Sequence, residues 1–223
     1  MLHGLRLKGV AEVGAVAEAV GLVEADVARL VQALAADALV RRRDGALAGW
    51  ALTPAGRAEH ERLLATEADA DAVRPRVRAA YRAFRELNPR LLDVCSRWQV
   101  RELAGRPVRN DHSDPVYDDA VVADLGRLHG EAGPLCDRLG HTLDRYRPYG
   151  PRLGQAMARV RAGDTDYFTR PVMPSYHTVW FELHEDLLAT LGIDRAAETT
   201  AATGAAATAS SDRPAPRPPT RQP

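Results

Sequence analysis

Along the first 60 residues the apolar positions recur at helical spacing three times. Leu2, Leu5 and Leu7 suggest a short helix. Val13, Val16 and Val20 stripe a second, which Gly21 ends. Val27, Leu30, Val31 and Leu34 stripe a third, running from Val23 to about Ala38. The pattern then changes. LVRRR (39–43) reads as a strand, Asp44-Gly45 as a hairpin turn, and ALAGWAL (46–52) as the returning strand. Thr53-Pro54 opens a helix, with Thr53 as N-cap and Pro54 at the first helical position, where its missing N–H costs nothing.

Residues 61–194 are patterned almost wholly as helix. One charged helix is expected from Thr53 to Arg74, anchored by Leu63 and Leu64 and broken by Pro75. Others are expected near 76–87, 89–101, 115–146, 149–163 and 175–191. Asn88-Pro89 and Asp114-Pro115 read as helix starts, Pro134 as a division and Gly192 as a stop. A polar loop, RPVRNDHSDP (106–115), lies between them. Residues 195–223 have no apolar periodicity and are rich in Ala, Thr and Pro. Such a segment buries too little surface to offset its ordering entropy, so a disordered tail is expected. The expected fold is mainly α: a winged helix-turn-helix with a two-stranded β-wing over 1–60, an all-helical domain over 61–194, and the tail.

Helix–helix–helix–hairpin–helix is the element order of that module. Ala17 is small where two helices cross, and Gly21, four residues on, supplies the turn. With LTPAGR (52–57) added, the chain resembles the MarR-type winged-helix regulators. Their wing runs from an Asp to a Leu-Thr-x-x-Gly; here Asp44 stands eight residues before Leu52, with Thr53 and Gly56 following. The resemblance covers roughly residues 5–60 and implies a transcriptional regulator that binds double-stranded DNA. The family usually places an arginine two residues after the wing Asp. Here that position is Ala46, which leaves the wing's grip to Arg41, Arg42 and Arg43. Arg29 and Gln32 lie opposite the apolar stripe of the third helix, where Arg pairs with guanine and Gln with adenine in a major groove. A homodimer would read palindromic sites.

Charge qualifies this reading. The chain's net charge is zero, and residues 1–60 hold seven Lys/Arg against seven Asp/Glu. Phosphate neutralisation supplies most non-specific affinity, so the module is not drawn to DNA by a global field. Glu24 and Asp26 open the third helix, and Ala25, Ala28, Ala33 and Ala36 offer no hydrogen bonds. The alternative is a winged-helix accessory module that docks on a partner protein, an enzyme among the candidates. A third reading is a helical-domain enzyme or metal binder.

The helical part offers a few polar and aromatic candidates. SYHTVWFELHEDLL (175–188) is densest in chemistry, but His177 and His184 stand roughly 10 Å apart along a helix, too far for one ion. No HExxH, phosphate-binding glycine loop or nucleophile elbow is present, so no catalytic residue, metal site or cofactor is expected. A small-molecule effector pocket would be lined by Trp98, Tyr117, Tyr176 and Trp180, with Asp111, His112 and His177 as polar anchors. The competing reading is that these aromatics are core. Aromatics make up only 5% of 223 residues, so the core must rest on Ala, Val and Leu. The two cysteines, Cys95 and Cys136, are in no CxxC and are expected as buried free thiols. No apolar run suggests a signal peptide or a membrane span, and a cytoplasmic protein is expected.

Overall fold

Three helices and a small antiparallel sheet build the N-terminal head. Helix α1 (Leu2–Lys8) leads into strand β1 (Val10–Ala11), then α2 (Val13–Val20), α3 (Glu24–Ala36), β2 (Val40–Arg43) and β3 (Gly49–Leu52). The computed structural model describes residues 1–45, 48–69 and 72–195, and those from Met1 to Leu191 form one compact unit. Ala46, where the family's wing arginine would stand, and the expected tail from residue 196 lie outside the described residues.

The expected three helices and hairpin are present, and Gly21 takes the left-handed turn between α2 and α3. The hairpin gains a third strand that the sequence reading did not expect. Strand order is β1-β3-β2, with Val10 opposite Ala51 and Arg42 opposite Trp50. A two-residue strand leaves no periodicity to detect. Leu5, Val16, Val27 and Val31 form the core with Val40, Trp50 and Leu52 from the sheet.

Helix α4 (Pro54–Ala68) starts as predicted: Thr53 Oγ1 accepts from Gly56 N at 3.0 Å. That hydroxyl also donates to the Ala38 carbonyl at 2.7 Å. Gly56 is fixed by close approach, since a Cβ there would overlap the Leu39 carbonyl oxygen. The Thr-x-x-Gly of the sequence thus clamps α4 onto the chain entering the wing.

The break expected at Pro75 falls earlier. Helix α4 ends at Ala68 and α5 (Val73–Gln99) begins at Val73, so Pro75 sits in a first turn where its missing N–H is harmless. Neither Pro89 nor Pro134 starts or divides a helix: each lies inside one, α5 and α6 (Pro115–Thr142). Both prolines are exposed, as are Arg85 and Gly130 four residues back, so the carbonyls they free are open to water.

The stretch expected as a helix end and polar loop is instead a hairpin, β4 (Val100–Leu103) and β5 (Arg106–Arg109). Its turn residues Ala104 and Gly105 both have positive φ, 51° and 75°, the signature of a tight primed turn. An alanine in the left-handed region hides that turn from sequence rules. After α6 come a single 3-10 turn (Asp144–Tyr146), α7 (Tyr149–Arg161), α8 (Asp166–Thr169) and α9 (Tyr176–Leu191). Helix α9 is buried along most of its length and packs against α1 of the head, against α4, and against α5 and α7 of the helical body that follows.

Candidate functional site

The outward face of the head carries the residues expected at DNA. Of the 13 residues of α3, only Val27 and Val31 are buried. Arg29 and Gln32 are exposed on the far side of the helix from them. Arg29 is ion-paired with Asp26 one turn earlier. The wing arginines do not act alike. Strand alternation sends Arg42 to the Trp50 side, where it makes a two-pronged pair with Glu12 at 2.8 and 3.0 Å and lies 5.9 Å from the Trp50 ring centre. Arg41 and Arg43 fall on the opposite face, exposed and with no ion pair among the described residues. The same end of the head also exposes apolar side chains, Leu22 (46%), Val23 (68%) and Leu30 (43%).

The expected ligand residues split into two places. Trp98, Asp111 and His112 come together in a cleft of ≈ 840 Å³ between the β4–β5 hairpin and α8. Tyr117 stands beside it, with its hydroxyl donating to the Arg97 carbonyl at 3.0 Å. Trp98 is buried, stacked on Phe168 at 4.3 Å and tilted against His112 at 4.4 Å. The loop above it is held by buried Asn110, whose amide donates to the Trp98 carbonyl (3.1 Å) and to Asp118 (2.7 Å). His112 adopts a left-handed backbone, φ 59°, and its Nδ1 is 2.9 Å from Asp118 Oδ2.

Tyr176 and Trp180 do not line this cleft. Both are core: Tyr176 meets His129 at 3.4 Å, and Trp180 stacks on Phe84 at 4.6 Å while donating to Asn88 at 3.0 Å. His177 is half-buried near them, and burial pulls its pKa down. The sparse aromatics were needed for packing. Cys95 and Cys136 are free and buried, as expected; burial pushes the first thiol up to about 12 and the second to about 11, so neither is a thiolate at neutral pH.

The largest polar assembly was not anticipated. It forms the seam between head and body, centred on two buried carboxylates of α9. Asp186 accepts from Arg145 Nε (3.1 Å) and the Tyr149 hydroxyl (3.1 Å), and His3 Nε2 lies 2.9 Å from its Oδ2. Arg145 also pairs with Glu67 on α4. His3 Nδ1 lies 2.9 Å from His60 Nε2, across α1 and α4. Glu182 bridges Lys8 of α1 (2.6 Å) and Arg152 of α7 (2.7 Å). Nε and Nη1 of Arg152 keep no partner among the described residues.

Burial pushes the Asp186 carboxyl up, but His3 and Arg145 outweigh it and hold it at about 2. His60 is pulled down to about 4, first by burial and then by His3, Arg6 and Arg145, so it is neutral at pH 7. A signal for the seam did exist. Glu182, Asp186 and Thr190 recur every four residues on one face of a helix patterned for burial, and polar groups so placed must find partners.

Among the described residues no group of three or more His, Cys, Asp or Glu is placed to hold a metal ion, and no helix is long and apolar enough to cross a membrane. Comparison with known proteins gives no match: no family model, no curated protein and no solved structure is similar to the chain.

Proposed function

We propose that the chain is a DNA-binding transcriptional regulator of the MarR-like winged-helix type. The observation that carries this reading is the exposure of one face of α3, which packs inward through buried Val27 and Val31 with Leu34 and Ala35 beside them and turns Arg29 and Gln32 to solvent. Arg29 and Gln32 on that surface read base edges, and Arg41 and Arg43 hold phosphates. Arg42 braces the sheet through Glu12 and Trp50 rather than touching the duplex. The body, joined to the head at the seam, carries the effector cleft, and a second copy of the chain supplies the other half-site. Selection from a pool of random duplexes tests this: enrichment of a paired motif supports the regulator, and no enrichment over input contradicts it.

One observation favours a second reading. Leu22 and Val23 just before α3 and Leu30 within it expose apolar surface where a DNA-binding face would be polar. On this reading the head docks on a partner protein. A variant just before α3, Leu22→Ser/Val23→Ser, that keeps duplex selection removes support for docking; one that loses a co-purifying partner favours it.

A further inference from the structure

The cleft beside the β4–β5 hairpin is built to bind, and the state of its polar groups says what. Asp111 is engaged by Arg101 at 3.1 Å and by the Ser113 hydroxyl at 2.7 Å. Asp166 is paired with Arg170, the residue just past the end of α8. That leaves Arg109 as a lining charge with no counter-charge among the described residues.

His112 is set up in a single orientation. Both amide hydrogens of Asn110 are taken, by the Trp98 carbonyl and by Asp118. Asn110 Oδ1 accepts from the His112 backbone N–H at 3.2 Å, fixing a left-handed backbone that a non-glycine residue rarely adopts. An ionised carboxylate only accepts, so the proton facing Asp118 sits on His112 Nδ1. On a neutral ring of that tautomer Nε2 accepts, and it has no hydrogen-bond partner among the described residues. The Trp98 ring is buried and packed against Phe168 and His112, so it is not an open stacking platform, and the polar groups of the lining decide what binds.

We propose that this cleft binds a small carboxylate that also carries an N–H or O–H donor. The carboxylate pairs with Arg109 and the donor bonds to Nε2 of His112. One unpaired guanidinium matches one negative charge, and the part-buried Asn110–Asp118 brace keeps the imidazole from turning away. Asp118 and Asn110 are positioning residues that touch no ligand. The site does not depend on the head's binding DNA.

The test is a calorimetric titration of the full chain, without DNA, against three fragments. N-acetylglycine carries both groups, acetate only the charge, and N-methylacetamide only the donor. The expected order is N-acetylglycine tightest, with a Kd on the order of millimolar, acetate at least about tenfold weaker and N-methylacetamide without saturation. Arg109→Gln and His112→Asn each weaken N-acetylglycine about tenfold or more. Both are suited to fold, since Arg109 is exposed and Asn tolerates the left-handed backbone. In the nitrogen spectrum of uniformly labelled protein, Nε2 of His112 shifts on binding while Nδ1 stays protonated. Absence of saturable binding, equal binding of all three fragments, or unchanged affinity in either variant overturns the proposal.

Discussion

Asp186 at the seam and His112 in the cleft both stand in chains of polar groups, yet the chains end differently. From Asp186 every branch runs into another protein group: Arg145 and on to Glu67, Tyr149, and His3 and on to His60. From Asn110 the chain runs through Asp118 to His112 and stops at a nitrogen on the wall of a cleft. Around Asp186 the seam closes its charges on one another in joining α1 and α4 to α9, while Arg152 beside Glu182 keeps Nε and Nη1 unpartnered among the described residues. The cleft holds one group in place and leaves it open. Interior polar groups that close on one another specify an arrangement of elements, while those that stop at a cavity specify a ligand. The head repeats the contrast within one strand, with Arg42 closed on Glu12 and Arg41 and Arg43 open.

The sharpest way to break this contrast is Asp186→Ala. It strips Arg145 and Tyr149 of their buried acceptor and is expected to cost about 3–5 kcal/mol, read as a drop in the urea midpoint. A loss under about 1 kcal/mol would mean that the seam is ornamental to stability.

Acid attacks the same place more gently. His60 has a folded pKa of about 4 against an ordinary 6.5, so between those values the unfolded chain binds a proton that the folded one refuses. The stability this neutral histidine contributes is full above about pH 6.5 and falls away toward pH 4. Asp186, held at about 2, adds its own loss only below its ordinary 3.8. His129 and His177, also lowered by burial, act in the same sense as His60. The diagnostic is therefore a flatter fall in urea midpoint from pH 7 to pH 5 for His60→Gln than for the natural chain. Parallel curves would place the proton elsewhere.

A smaller effect is expected in the cleft. Asn110→Ala leaves the Trp98 carbonyl and one Asp118 oxygen unpaired and should cost about 1–3 kcal/mol. It should also unlock His112, which amide exchange of the 110–113 backbone would report as faster opening. Unchanged exchange would show that the loop holds His112 without Asn110.

Legibility followed sequence distance and side-chain size. Elements marked by strong local chemistry were readable: Gly21 at its turn, Thr53-Pro54 and Asp114-Pro115 as caps, and Gly192 as a stop. Strand β1 was too short to show a period, and the β4–β5 turn was masked by Ala104 in a conformation that glycine usually takes. Pro89 and Pro134 misled because proline's cost depends on whether the carbonyl it frees meets water, which is a property of the packed helix. Trp98, Asp111 and His112, named together from the sequence, do line one cleft, and two of them sit in one polar loop. Tyr176 and Trp180 could not be told from core, and Arg109 drew no notice before the hairpin was known. The seam joins residues 3, 60, 145 and 186, and no local pattern connects positions so far apart.

The most direct test of the regulator reading is the salt dependence of binding to a duplex from the chain's own upstream region. The Arg41→Ala/Arg43→Ala variant is compared with Arg42→Ala and the natural chain. The expected result is specific binding whose log affinity falls linearly with log salt, a slope smaller by about two in the double variant, and a slope nearly unchanged in Arg42→Ala. Binding no tighter than to a random-sequence duplex at low salt, or slopes the same in all three proteins, would contradict it and turn attention to the apolar start of α3 as a protein-docking face.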